Sequence, residues 1–419
     1  MSNKNILVIP GGFVPYNDTV TLLSYKHLRN IDANFDVIAL EGKKDDGIND
    51  TVCKEDNFKK FNVEYVCKYD DAVATFERKN VISGVYNLIR YCLKARKKAK
   101  QKKYDVVYTS SIPAFTHLAG YLVKKIYKDD IKWIASISDP LYKSPYKYDE
   151  ESIKEYSLIA KVGFYVYIFI YMNGFYEKLV QKYADKVIYI CEEERDFCIN
   201  NYPNKDELLA KSMIIPLNYV DSWDLYHNLI VNENKKHDGK MVCSHFGRVY
   251  GLRKLDNFLL ALKKMKSDDP LLSKKIVFRQ YGQFIDRYVK RIHEYDLDDL
   301  FEFNDKVPYD KAMELMKDSD ALVLFDTIMP EDQIQPYLPS KSLEYILLKK
   351  PCLIITTKLS PAYRIFNNLG YKCAFDDVDS IIEAINDVIN NDHVYDYDYT
   401  IYKNEVATKE LKEYIELGE

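Results

Sequence analysis

Apolar runs of five to seven residues alternate with longer amphipathic segments along nearly the whole chain. This is the pattern of repeating βα units around a parallel sheet. In the first half the runs that predict strands are 5–10, 35–40, 63–67, 105–109, 131–137, 186–190 and 212–216. In the second half they are 241–247, 276–282, 321–325 and 351–355, again with helical periodicity between them. The polar stretch VNENKKHDGK at 231–240 has no apolar period and separates the two sets. The expectation is an α/β fold of two doubly wound domains facing across a cleft. The boundaries are 1–225 for the first domain, 226–240 for a linker, 241–395 for the second domain and 396–419 for a terminal helix packing back toward the first. In open α/β sheets ligands bind outside the carboxyl ends of the strands, so the loops there are where function is expected.

Length agrees with two domains, because 419 residues exceed the size at which one core keeps growing. Hydrophobic residues at 47% and charged residues at 30% are globular proportions with no sign of long disorder. A net charge of −4 argues against a general nucleic-acid binder. The eight cysteines are scattered without a CxxC pair or zinc spacing, and read as small buried hydrophobes in a reducing compartment. The chain enters a strand at once, with no pattern of a signal peptide, so a cytoplasmic protein is expected.

Three stretches carry candidate chemistry. The first strand ends in PGGF, where Gly11 and Gly12 let the backbone turn sharply and let a ligand approach the main chain. This is not GxGxxG, so a dinucleotide enzyme is disfavoured, and a plain turn is the alternative. The run HFGRVYGLRKL at 245–255 places Arg248 and Arg253 around the Gly247 turn, where two guanidiniums can clamp a pyrophosphate or simply be solvated. The run PSKSLEYILLKKPCLI at 339–354 opens a helix with Ser340 and Lys341, which suits phosphate. Glu344 stands one turn on, and its carboxylate can accept from sugar hydroxyls or form an ordinary solvated Lys–Glu pair.

Taken in order, GRVYGLRKLDNFL, then YG after the next strand, then DALVLF and PSKSLEYILLKKPCLII resemble the donor-binding domain of retaining GT-B glycosyltransferases of family four. The GG loop, DVVYTSSIPAFTHLAGYLV, ISDP and ADKVIYICEEERDFC in the first half are similar to that family's acceptor domain. The resemblance implies two Rossmann-like domains, a nucleotide diphosphate-sugar donor held by the second domain, and no metal or other cofactor. It implies donor-binding roles for Gly11, Gly12, Gly247, Arg248, Arg253, Gly282, Ser340, Lys341 and Glu344. Arg248 and Arg253 match the basic pair on the diphosphate, and Glu344 matches the ribose-binding second glutamate of Glu-x7-Glu. The first glutamate of that signature is replaced by Pro336, a departure from the family pattern. Ser111 and Asp139 follow the fourth and fifth strands and are the candidate catalytic residues. Asp139 either binds an acceptor hydroxyl or caps the turn before Pro140, and His117 reads as packing. Asp70-Asp71 and Asp376-Asp377 lie outside the donor loops, and no DxD pair supplies metal ligands.

Two stretches point to a membrane surface. NLIRYCLKARKKAKQKK at 87–103 has an apolar stripe at 88, 89, 92 and 93 followed by a dense basic run, as in interfacial helices at anionic lipid. GFYVYIFIYMNGFY at 163–176 is apolar and aromatic but too short to span a bilayer. The functional expectation is a retaining transferase moving a sugar to a glycan acceptor, polyprenyl-linked, at the inner face of the cell membrane in surface polysaccharide synthesis. The alternatives are a non-catalytic nucleotide-sugar-binding partner subunit and, less well matched by motif order, a nucleotide-sugar epimerase.

Overall fold

The computed structural model describes residues 4–16, 19–42, 49–73, 81–147, 174–223, 226, 239–390 and 394–418. Most of the expected linker and the aromatic run up to residue 173 lie outside the described residues. The chain forms two compact units, Met1–Val220 with Tyr402–Glu419, and Asp221–Ile401.

In the first unit β1 (Lys4–Ile9), β2 (Ala33–Glu41), β3 (Phe61–Lys68), β4 (Val106–Ser110), β5 (Lys132–Ser136), β6 (Lys186–Tyr189) and β7 (Ser212–Ile214) form one parallel sheet. Its order is β3-β2-β1-β4-β5-β6-β7. All of β4 and the last four residues of β1 are buried, as expected of parallel strands covered on both faces. Helices Val81–Ala99 and Thr116–Tyr127 supply Tyr91, Ala95, Ala119 and Val123 to the core around Trp133. The returning C-terminal segment is fastened by Asn404, fully buried, whose amide donates to Asn218 Oδ1 and the Lys26 carbonyl, each at 2.8 Å.

The second unit has β8 (Met241–Phe246), β9 (Ile276–Tyr281), β10 (Phe301–Asn304), β11 (Ala321–Phe325), β12 (Cys352–Ile355) and β13 (Cys373–Ala374) in the order β10-β9-β8-β11-β12-β13. The eleven runs read as strands are strands. The sequence reading missed the two edges: β10 is partly to fully exposed and so lacks an apolar run, and β13 has only two residues.

Strand order reverses at β1, between β2 and β4, and at β8, between β9 and β11. Helices part at such points and leave the carboxyl ends open. Gly11 follows β1, where a Cβ would lie 2.3 Å from the Ile112 carbonyl oxygen and 2.4 Å from Pro113 Cδ. Only glycine lets the loops after β1 and β4 touch this closely. Gly11→Ala is therefore expected to destabilise the first unit by about 1–3 kcal/mol, because backbone rather than a flexible side chain must yield. Denaturant unfolding checks this, and wild-type stability would remove the packing constraint.

Candidate functional site

In the second unit the exit from β8 is built by two glycines. Gly247 has φ 134° and Gly282 φ 115°, a region that L side chains rarely adopt. A Cβ on Gly282 would meet the Gly247 carbonyl oxygen at 2.9 Å, and one on Gly247 would meet Lys341 Nζ at 2.8 Å. Gln280 Nε2 donates to the Gly247 carbonyl at 2.7 Å and fixes the turn. The turn thus brings the backbone of residue 247 against Lys341, which is distant in sequence.

The Lys341 ammonium forms no hydrogen bond or ion pair with any described residue. Desolvation lowers its pKa to about 8, Arg253 pushes the same way, and the charge of Glu344 opposes them. Arg253 Nη1 donates to the Arg248 carbonyl at 2.6 Å, while its Nε is buried with no partner. Both guanidiniums lie over the Tyr250 ring, at 5.7 Å for Arg248 and 5.4 Å for Arg253. Ser342 Oγ is likewise buried without a partner, and Ser340 is exposed. Glu344 is 5% exposed and accepts from the Tyr309 hydroxyl at 2.5 Å, with Tyr226 Oη 3.4 Å from Tyr309 Oη. Burial first, and the Glu344 charge second, raise the Tyr309 pKa well above its usual value, so the phenol keeps the proton it donates.

Behind these groups stand residues the sequence reading did not single out. Asp326, at the end of β11, is buried and accepts from the Thr327 amide at 2.8 Å, Thr356 Oγ1 at 2.7 Å, Ser360 Oγ and Gln335 Nε2. Burial raises its pKa, with the hydroxyls, the amide and Arg253 pulling it back. Gln335 also donates to the Tyr337 carbonyl at 2.9 Å, so Asp326 holds the loop that carries Pro336. Pro336 itself is buried, and no ionisable group stands at the position of the family's first glutamate. His245, on β8, presents Nδ1 to the Val323 carbonyl at 2.9 Å and leaves Nε2 without a partner, neutral because burial lowers its pKa to about 3. An acid directly after an apolar run is the one sequence signal that marks Asp326; Tyr309 has none.

In the first unit Ser111 and Asp139 lie after β4 and β5. Ser111 is buried; its Oγ accepts from the Ser138 amide at 3.0 Å and lies 3.1 Å from Ser138 Oγ. The same turn is held from the other end by Glu177, which accepts from the amides of Leu141 at 3.1 Å and Tyr142 at 2.9 Å and from Tyr202 Oη at 3.1 Å. Asp139 sits between these fasteners, partly buried, and its charge acts on buried Glu194. Glu194 accepts from the Ile190 amide at 2.8 Å, and its other oxygen has no partner. Ile112, beside Ser111, has φ 65°, a costly conformation for a β-branched residue. His117 is buried with Nδ1 2.9 Å from Thr109 Oγ1 and a pKa lowered to about 3 by burial. Among the described residues no group of three or more His, Cys, Asp or Glu is placed to hold a metal ion.

No protein-family model matches the chain, and no curated relative is found. Solved structures do match over the full length. The lipopolysaccharide outer core galactosyltransferase WaaB, in its apo form, superposes with a TM-score of 0.58 at 11% identity, covering 99% of this chain and 100% of that one. An E. coli trehalose-6-phosphate structure bound with UDP-2-fluoro glucose gives 0.60 at 9% identity, covering 99% and 96%. The UDP-GlcNAc 2-epimerase of Methanocaldococcus jannaschii gives 0.51 at 12% identity, covering 97% and 98%. The chain has the two-domain, Rossmann-like GT-B fold. At these identities the likeness extends to the fold alone, and the epimerase shows that the fold serves more than one chemistry.

Glu177 yields a test of the turn that carries Asp139. Burial, against three hydrogen bonds, raises its pKa to about 7, above the unfolded value near 4.5. The native state then binds more protons than the unfolded state between these values, so stability falls as pH rises through them. Relative to Glu177→Gln, the wild type should lose about 2–3 kcal/mol between pH ~4.5 and ~7.5, since each tenfold difference in proton affinity is worth about 1.4 kcal/mol. Urea unfolding of both proteins across that range measures it; a pH-independent difference would overturn the assignment.

Proposed function

We propose that this protein is a retaining glycosyltransferase that moves a sugar from a nucleotide diphosphate-sugar to a lipid-linked glycan acceptor in surface polysaccharide assembly. The carrying observation is the convergence, at the end of β8, of Lys341 and Arg253 with Glu344 around a backbone kept bare by Gly247. A diphosphate supplies the anion that the unpaired Lys341 ammonium and the buried Arg253 Nε lack, and Arg248 adds an exposed guanidinium. Glu344, oriented by Tyr309, is suited to accept from the ribose hydroxyls. These cations meet the diphosphate charge themselves, so no metal is required in this reading. Asp139 and Ser111 are assigned to acceptor recognition in the first unit, at the inner face of the cell membrane.

Two of the similar solved structures name a UDP-sugar, so UDP is the first probe, with GDP and ADP beside it. Glu344→Ala and Arg253→Ala should each weaken UDP binding by roughly 1.5–3 kcal/mol, and Tyr309→Phe by about 1 kcal/mol. Calorimetry checks this, and wild-type affinity for the best nucleotide in both alanine variants would remove the donor-site assignment. Because Lys341 titrates near 8 when free, its pKa should rise on binding the anion. Affinity should therefore fall as pH rises above about 8, with net proton uptake visible as a buffer-dependent heat. Turnover should survive EDTA; loss restored by Mg²⁺ or Mn²⁺ would contradict the metal-free reading.

Pro336 favours one second reading, a partner subunit that binds the nucleotide sugar without turnover. Slow release of free sugar from a bound UDP-sugar separates the two, since only an enzyme produces it.

A further inference from the structure

Helix Val81–Ala99 has two apolar faces, and the fold uses one. Tyr91, Cys92, Ala95 and Ala99 are buried in the first unit's core, and Tyr91 Oη donates to the Ile38 carbonyl at 2.9 Å. On the opposite side Val85, Tyr86, Ile89 and Leu93 are 43%, 63%, 49% and 57% exposed. The single stripe expected at 88, 89, 92 and 93 is thus corrected: residue 92 is inside, 88 is half-buried, and 89 and 93 face water. Positions 86, 89, 90, 93, 97 and 100 follow the three-and-four spacing of one helical face.

The basic residues divide in the same way. Lys94 pairs with Glu64, Lys98 lies 3.3 Å from Asp36 and 3.7 Å from Glu64, and Lys102 is 2.6 Å from Asp36. These three are committed to β2 and to the edge strand β3. Arg90, Arg96, Lys97 and Lys100 are exposed and form no ion pair with a described residue. No aspartate or glutamate occurs from residue 78 to 104. Among the described residues no helix is long and apolar enough to cross a membrane.

We propose that this outward face docks on an anionic lipid bilayer. Tyr86, Ile89 and Leu93 enter the interface while Arg90, Arg96, Lys97 and Lys100 meet the headgroup phosphates. Charge decides the occupant. A ridge of apolar side chains flanked on its own helix by cations alone, with Asp71 of the neighbouring helix at its N-terminal part, complements a surface of mainly negative charge, whereas a protein face of mixed sign would leave most of those cations unmatched. The inference deepens the reading of a lipid-linked acceptor and rests on it for its purpose, though not for the binding itself.

Flotation of the full chain with phosphatidylcholine vesicles, with and without phosphatidylglycerol, at low and high salt tests it. The unmodified protein should float with the anionic vesicles at low salt. Arg90→Gln, Arg96→Gln, Lys97→Gln and Lys100→Gln together should lower partitioning at least about a hundredfold. Lys94→Gln, Lys98→Gln and Lys102→Gln together should leave it near wild type, because those charges are already paired. Tyr86→Ser, Ile89→Ser and Leu93→Ser together should keep low-salt binding and lose what persists at high salt, since apolar burial is not screened. Failure of the unmodified protein to float, or equal loss in the two lysine and arginine sets, would overturn the proposal. So would a concentration-dependent dimer, in sedimentation, that the serine variant dissolves, which would assign the face to a second copy. UDP calorimetry on the same preparations keeps the two readings apart: nucleotide binding without flotation sinks the lipid surface alone, and flotation without nucleotide binding sinks the transferase reading alone.

Discussion

Parallel strands covered on both faces leave this protein little room for polar chemistry. β4, β11 and β12 are buried along their whole length, and an unpaired polar side chain there costs about 1–3 kcal/mol, as for Ser110 at the end of β4, whose Oγ has no partner among the described residues. Charged and flexible groups are pushed to the strand ends, and where strand order reverses the ends are not roofed by helices. The loops after β1, β4, β8 and β11 follow from that constraint. Each must leave a buried strand, turn in little space, and still present side chains. Glycine at 11, 247 and 282 solves the turning by removing the Cβ that would collide. Buried carboxylates solve the holding.

Those carboxylates behave differently from the cations near them. Asp326 and Glu177 accept four and three hydrogen bonds respectively, and so act as internal fasteners whose solvation has been replaced by the protein. The buried Arg253 Nε and Ser342 hydroxyl have no such replacement, and the partly buried Lys341 ammonium has no partner among the described residues. A buried donor without a partner costs about 1–3 kcal/mol. Two such donors, Arg253 Nε and Ser342 Oγ, lie in the loops that Lys341 also joins. Glu344 is intermediate. Tyr309 holds one oxygen, which costs the carboxylate little freedom and keeps it aimed.

Strand identity was legible because the central strands are mainly apolar runs, with interruptions such as Ser244 and His245 in β8 and Arg279 and Gln280 in β9, and a run needs no knowledge of what covers it. β10 was not, since at the sheet edge Glu302, Phe303 and Asn304 are exposed and the run dissolves into polar residues. Gly247, Arg253, Lys341 and Glu344 were legible as residue types at helix starts and strand ends, but their meeting was not: the contact of residue 247 with 341 spans nearly a hundred positions. Tyr309 and Glu177 stayed hidden for the same reason. Nothing in a local window distinguishes a tyrosine that will reach Glu344 from one that packs. The helix at 81–99 shows the opposite failure. Its local pattern was read as one stripe, whereas the fold needs Tyr91 and Cys92 inside and leaves Ile89 and Leu93 outside, which periodicity alone cannot separate when both sides are apolar.

Pro336, where the resembling family carries a glutamate, is consistent with the charge balance at the strand ends of the second unit. Asp326 and Glu344 are already two buried carboxylates near Arg253 and Lys341, and desolvation works against the ionised form of the first. A third carboxylate at 336 would sit one residue from Gln335, whose amide donates to Asp326 and is needed there. It would compete for the same cations and raise the cost of keeping Asp326 charged. Proline removes that competition and fixes the backbone of the loop that Asp326 holds. Arg253 then acts on Asp326, and Glu344 on Lys341, without a third acid competing between them.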